Sequence, residues 1–343
     1  MQILFLNLYS GRVERGAESF THQLAHKLST HHQVNFIKGA SADLPHSQFS
    51  GSILDRLLKR CFLDLPGRQV LHFSLSQARH IASSHYQLIV PLNGFWQLLI
   101  LKLLQPFKGY KIVVIGNSGP GWDERWNLYL HPNAFIATTK PALDWARHTC
   151  PWTKSVLIPY AIDTKPFKTS PTKLNLPKPI ILCPAALVPY KRIDLAIQAV
   201  SKLPQGSLLV LGKGPLRAQL SRLGRKLLPS RFKLISVSHN LMPSYYQAAS
   251  VITLPSLSQE NSPMVFLEAL AAGRMVVTTK SPRHQWMLGP AGIFVDPVDT
   301  DQYSHALNQA LQSHISTASA LKKFTWSNVL TSYINLINTL VHD

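Results

Sequence analysis

Short, nearly continuous apolar runs alternate with amphipathic stretches along the whole chain. Runs at 3–8, 33–37, 87–92, 111–115, 133–138 and 155–158 fill the first half. Runs at 180–183, 208–211, 232–236, 251–254, 275–278 and 293–295 fill the second. Runs this short, apolar at successive positions, predict strands buried on both faces, as in a parallel sheet. The stretches between them predict helices. The segment 17–28 sets Phe20, Leu24 and Leu28 on one face and His22, Gln23, His26 and Lys27 opposite. Further helices are expected at 95–104 and 302–312. The pattern is more irregular from 46 to 85, with amphipathic pieces such as 53–60. Pro159, Pro166, Pro171, Pro177 and Pro179 crowd one segment, which predicts an interdomain linker. The chain has 343 residues, and domains usually run to roughly 100–200, so two α/β domains are expected.

The most informative stretch joins the runs at 251–254 and 275–278. It reads Ser258-Gln259-Glu260-Asn261-Ser262-Pro263-Met264-Val265-Phe266-Leu267-Glu268-Ala269-Leu270-Ala271-Ala272-Gly273. This predicts a loop and a helix, with Ser262 at the N-cap, Pro263 at N1 and Gly273 at C′. The first-turn N–H groups then point beyond the carboxyl end of a strand, where open α/β sheets bind ligands and the helix dipole favours phosphate. Side chains lean toward a helix's N-terminus, so Glu268 can reach back toward the place Glu260 occupies. Two solvated surface carboxylates would be the plainer account. It fits poorly in a chain with only 16 acidic residues.

Composition narrows the class. Hydrophobic content of 45% and mean hydropathy of +0.03 suit a globular core. Cys61, Cys150 and Cys183 are too few and scattered for a disulfide framework or a cysteine-based metal site, so a reducing cytoplasm is expected. The first residues read as a strand rather than a signal peptide. The most apolar region, 88–104, is broken by Pro91, Asn93, Gly94, Gln97 and Lys102, so no membrane span is expected. Lys and Arg total 35, and no acidic residue lies between Asp194 and Glu260. Such a surplus attracts nucleotides, nucleic acid or an anionic membrane surface, and equally fits solvated helix faces. No nucleic-acid-binding signature accompanies it, so nucleic acid is the weaker partner. The piece 53–60 suits an ordinary surface helix better than one lying on a bilayer or holding an acceptor.

The spacing of Glu260 and Glu268 resembles the E-x7-E motif of retaining glycosyltransferases of family 4, which have the GT-B fold. Other segments resemble the same family: the glycine loop at Arg15-Gly16-Ala17-Glu18, the interdomain run Ile158-Pro159-Tyr160-Ala161-Ile162-Asp163, and the strand and turn ending Leu211-Gly212-Lys213-Gly214. As a dinucleotide fingerprint the last fails, because Arg217 stands at the third glycine position. The run Phe324-Thr325-Trp326-Ser327-Asn328-Val329 resembles the start of the family's C-terminal crossing helix.

The resemblance implies two Rossmann-like domains facing a cleft, at 1–165 with 324–343 and at 166–323. It implies metal-independent transfer of a sugar, with retention, from a nucleotide-sugar to a glycan, lipid-linked or small-molecule acceptor. No cofactor is implied. Glu260, Lys191 and Asn117 would act in transfer, with Glu260 on the sugar. Gly16, Lys191, Arg192, Glu260, Asn261, Ser262, Pro263, Met264 and Val265 would hold the donor, and Glu268 its ribose. Cell-envelope or polysaccharide synthesis in the cytoplasm, with peripheral contact at the inner membrane face, is the implied setting.

Two departures bear on this. Ala186 stands where the family carries an Arg on the donor diphosphate, leaving Lys191, with Arg192 or Lys213 as substitutes. Asn117 and Ser118 stand where many relatives carry a His. A nucleotide-sugar epimerase and a non-catalytic relative therefore stay open as rivals, and Ala186 favours the latter. His22 and His26 have metal-ligand spacing without an evident third ligand. Asp299-Thr300-Asp301 reads as a helix N-cap rather than a metal–diphosphate motif.

Overall fold

The computed structural model describes residues 1–9, 16–39, 53–256, 260–313 and 315–342. The chain divides into two compact units, Met1–Tyr160 with Val329–Asp343, and Ala161–Asn328.

In the first unit, β1 (Gln2–Asn7), β2 (Gln33–Lys38), β3 (Leu88–Pro91), β4 (Lys111–Gly116), β5 (Ala134–Ala137) and β6 (Ser155–Leu157) form one sheet. Its order is β2-β1-β3-β4-β5-β6 and every pairing is parallel. Burial follows position in the sheet. Ile3, Leu4, Phe5 and Leu6 of the interior strand β1 are buried, whereas edge strand β2 alternates exposed and half-buried residues. The region of irregular pattern holds two helices, Ile53–Arg60 and the long Leu65–Ser83. Asp64 caps the second, its Oδ1 accepting from Gly67 N at 3.2 Å. Val70, Phe73, Ser74 and Ile81 are its buried residues. The helix expected at 95–104 runs on as Phe95–Lys108, with Pro106 in its last turns, and ends at Gly109 in the left-handed conformation.

In the second unit, β7 (Ile180–Pro184), β8 (Ser207–Leu211), β9 (Phe232–Ile235), β10 (Val251–Leu254), β11 (Val276–Thr279) and β12 (Gly292–Val295) form the other parallel sheet. The order β12-β11-β10-β7-β8-β9 places the first and fourth strands of the unit side by side at its centre. This is the doubly wound Rossmann order, with its switch point between β7 and β10. The helix Trp326–His342 begins in the second unit and ends in the first, where Tyr333 and Tyr160 flank Phe20 at ring distances of 6.4 and 4.6 Å.

Candidate functional site

Chains leaving neighbouring strands in opposite directions open a crevice at a switch point, and ligands of doubly wound sheets bind there. In the second unit this point carries a charge pair. Lys191 ends a short 3₁₀ turn after β7, Glu260 lies in the loop after β10, and their side chains form an ion pair. The ammonium and carboxylate side chains are only 12% and 14% exposed.

The loop that carries Lys191 is fixed by main-chain bonds to the turn after β8. Ala185 N donates to Leu211 O at 3.0 Å, and Leu187 N donates to Lys213 O at 2.9 Å. A Cβ on Gly212 would stand 1.9 Å from Ala185 O, and one on Gly214 2.6 Å from Leu187 O. Gly212 and Gly214 therefore serve close loop packing. Ala186 is solvent-exposed on this loop. Of the substitutes considered for the missing cation, Arg192 directs its guanidinium to Asp194 at 3.2 Å, and Lys213 is exposed. Arg192 itself adopts the left-handed conformation, with φ 47°.

The helix after β10 starts one residue later than expected. It spans Met264–Ala271, with extended Pro263 as the N-cap, while Ser262 directs its hydroxyl to Met287 Sδ at 3.8 Å instead of capping. Gly273 takes the left-handed conformation at C′. Asn261 is buried and Met264 and Val265 are half-buried. Ser258 and Gln259 lie outside the described residues. Glu268 accepts a hydrogen bond from the phenol of Tyr246 at 2.5 Å. Burial raises the Glu268 pKa, and the Tyr246 bond and nearby His239 oppose that rise. The two acids of the motif thus sit in different settings, one against an ammonium and the other against a buried phenol.

Two basic residues of the next loop were not singled out by sequence reasoning. Arg283 and His284 open the helix Pro282–Leu288 after β11, which neighbours β10. Thr279 O lies 2.8 Å from His284 Nδ1 and can only accept, so Nδ1 carries the proton. Nε2 is buried without a hydrogen-bond partner among the described residues. Burial lowers the His284 pKa, and the charges of Glu260, Arg283 and Lys191 all act on it. Burial likewise lowers the Arg283 pKa, with Glu260 opposing. The available signal was Ser281-Pro282, a cap and N1 pair directly after a strand.

Gly16 and Asn117 belong to the first unit. Gly16 opens the helix Gly16–Leu28, while Arg15 and the rest of 10–15 lie outside the described residues. Asn117 follows β4, and its Oδ1 accepts from the Tyr160 phenol at 2.6 Å. Beneath this loop the buried Glu124 accepts from Ser118 N and from Asn127 Nδ2, each at 2.9 Å. Burial, its largest influence, pushes the Glu124 carboxyl up to about 7. His22 and His26 are exposed on their helix. Asp299 caps the helix Thr300–Gln312, accepting from Asp301 N and Gln302 N at 3.1 and 2.9 Å.

Residues 165–325 match the family described as "Glycosyl transferases group 1". The lipopolysaccharide core biosynthesis glycosyltransferase LpsE of Rhizobium meliloti is 31% identical over 142 residues, 40% of this chain and 41% of its own. The matched stretch spans less than half of the length of each of the four curated relatives. Solved structures align over nearly the whole chain. Anabaena HepE in complex with UDP superposes with a TM-score of 0.74 at 18% identity, covering 99% of this chain and 100% of that one. Sucrose-phosphate synthase of Thermosynechococcus elongatus gives 0.79 at 20% identity, covering 99% of each. Residues 165–325 thus match the glycosyl transferases group 1 family, in a chain with the GT-B fold.

Proposed function

We propose that this chain is a retaining, metal-independent glycosyltransferase that moves a sugar from a nucleotide-sugar to a glycan, lipid-linked or small-molecule acceptor. The observation that carries the reading is the Lys191–Glu260 pair at the switch point of a unit matching the glycosyl transferases group 1 family. The name of the HepE structure, a complex with UDP, and the glycosyltransferase names of curated relatives point the same way.

In this reading the donor diphosphate takes Lys191 from Glu260, and Glu260 turns to the sugar hydroxyls. Asn261, Ser262, Pro263, Met264 and Val265 line the sugar and phosphate, and Glu268 holds the ribose. Arg283, in the helix after β11, lies within electrostatic range of Glu260 and supplies a second positive charge where Ala186 supplies none. Arg192, committed to Asp194, contributes less. Gly16 and Asn117 act from the first unit, Asn117 as a hydrogen-bonding partner of the sugar. Catalysis would come from positioning and charge stabilisation, since the charge that grows on the leaving diphosphate meets a preorganised cation. The basic, apolar helix Ile53–Arg60, with Ile53, Leu54 and Leu57 exposed, suits a peripheral membrane contact. None of the helices among the described residues is long and apolar enough to cross a membrane.

The test is incubation with a panel of nucleotide-sugars, with and without acceptors, following nucleotide release in excess EDTA. Acceptor-dependent release with a retained anomeric configuration is expected. Release without acceptor and with epimerised product would replace the reading with an epimerase. Absence of any turnover while a nucleotide binds would replace it with a non-catalytic binding protein.

A further inference from the structure

The first unit has its own switch point, between β1 and β3, and two adjoining cavities lie around the carboxyl ends of its strands. We propose that these cavities form one acceptor site selecting a hydroxyl-rich ring that carries a phosphate group. The proposal rests on the transferase reading for its word acceptor, but not for the binding it describes.

The inner cavity, of about 420 Å³, has an aromatic wall. Phe62 and Phe95 stack there at 4.6 Å, and Trp96 meets Phe95 edge-on at 5.1 Å. Its polar lining is rich in acceptors, including Asp64, Asp123, Glu124 and Asn127. The Asn127 NH₂ donates to Glu124 Oε2 at 2.9 Å, the orientation that an ionised Glu124 requires. That leaves Asn127 Oδ1 buried without a hydrogen-bond partner among the described residues, in a side chain 5% exposed. A buried acceptor of this kind calls for a ligand donor. An aromatic wall beside such acceptors suits the C–H face and hydroxyls of a sugar or cyclitol, and apart from Lys59 at the shared edge offers little to an anion.

The outer cavity, of about 510 Å³, reverses the polarity. Arg56, Lys59 and Arg60 line it, with Asp123 as its one acidic lining residue, and residues 118–122 complete the lining. This basic wall is anchored rather than loose. Trp122 Nε1 donates to Arg60 O at 2.8 Å, and the Arg60 guanidinium lies 5.0 Å from the Trp122 ring. Lys59, Ser118 and Asp123 line both cavities, so one ligand can occupy them together. Hydroxyls then go inside and the anion outside, where guanidinium groups suit a phosphate.

Soluble sugar phosphates and phosphoinositide headgroups share this chemistry. Binding to the full chain without nucleotide would be followed by calorimetry and by tryptophan fluorescence, since Trp96 and Trp122 line the two cavities. The probes are glucose, inositol, glucose 6-phosphate, inositol 1-phosphate, and phosphatidylcholine vesicles with or without phosphatidylinositol. At least one phosphorylated probe should bind roughly tenfold tighter than its parent, the scale of an added charge-assisted contact. Arg56→Gln, an exposed change, should remove that advantage, as should Arg60→Gln. Preference for the soluble phosphates identifies a free sugar phosphate, and preference for phosphatidylinositol vesicles a lipid headgroup. Equal affinity for every phosphorylated and parent probe, vesicle binding regardless of phosphatidylinositol, or an advantage surviving both Arg changes would overturn the proposal. UDP binding on the same sample is the separate check of the donor half, and its failure alone would count against the transferase reading only.

Discussion

The Lys191 ammonium is paired with the Glu260 carboxylate across the two loops that leave the central strands β7 and β10, with both side chains largely out of water. Partly desolvated ion pairs add little net stability, because desolvation offsets much of their attraction. Their arrangement at a switch point makes better sense as a pair of opposite charges poised for a ligand that separates them. A diphosphate would draw the ammonium, and sugar hydroxyls would satisfy the carboxylate.

Lys191→Ala should therefore lower turnover by about 10²-fold or more, the scale of losing an oriented charge at a developing anion. It also leaves Glu260 without its cation, so the comparison must use folded variant, checked by its unfolding transition. Near-wild-type turnover in a folded Lys191→Ala would mean that the diphosphate is bound elsewhere.

Tyr246 offers a finer test, because its phenol donates to the Glu268 carboxylate proposed to hold the ribose. Tyr246→Phe keeps the ring and removes only the hydroxyl. Nucleotide affinity should fall by roughly 3- to 10-fold, as one hydrogen bond to a charged group is lost. Glu268→Ala should cost more affinity and also leave the buried Tyr246 hydroxyl unpaired. Calorimetric titration with the nucleotide that supports turnover decides it, and unchanged affinity in both variants would take Glu268 out of the site.

Much of this was legible in the chain. Continuous apolar runs mark strands covered on both faces, as in β1, β7 and β8. Strands β1 to β12 all overlap expected strand positions, although edge strand β2 reads Gln33-Val34-Asn35-Phe36-Ile37-Lys38 and is nowhere buried. The helix Leu65–Ser83 was harder to see, because its buried residues are interspersed with Ser, Gln and His and only Asp64-Leu65-Pro66 signals the start. In the site, the spacing of Glu260 and Glu268 was readable as sequence. Lys191 entered the same site through the family resemblance alone and Tyr246 not at all: they lie 69 positions before Glu260 and 22 before Glu268, and only sheet order brings such residues together. The one-residue error at Ser262 has a local cause, since its hydroxyl turns to Met287 from a helix that sequence alone did not place there.

Gly212 shows how a glycine can be needed for space. Any Cβ there would meet the carbonyl of Ala185, whose own N–H is bound to Leu211 O, so the loop bearing Lys191 cannot simply retreat. Gly212→Ala should lower stability by about 1–3 kcal/mol, the usual range for overpacking. Gly273 is the contrast: it has positive φ and open space around it, so Gly273→Ala should cost about 1 kcal/mol through backbone strain alone. Urea unfolding midpoints compare them. An effect at Gly212 within about 0.5 kcal/mol of zero, the scale of an ordinary surface change, would show that the two loops can separate freely.

The buried carboxyl of Glu124 should make stability depend on pH in the direction opposite to most acids. Its pKa in the folded chain is raised from 4.5 to about 7, so the native state holds a proton that the unfolded chain has released. Between those two values unfolding free energy must fall as pH rises, and the ionised group remains a liability above them. From about pH 5 to about pH 8 the loss should be about 2 kcal/mol. Glu124→Gln isolates the effect. The amide keeps an oxygen for Ser118 N–H and never ionises, while Asn127 can turn its own oxygen toward the new NH₂. Wild type should therefore lose stability relative to Glu124→Gln across this interval, as read from urea midpoints at each pH. A difference that stays constant with pH would mean that Glu124 ionises at its ordinary value, with water reaching it beneath the Asn117–Ser118 loop.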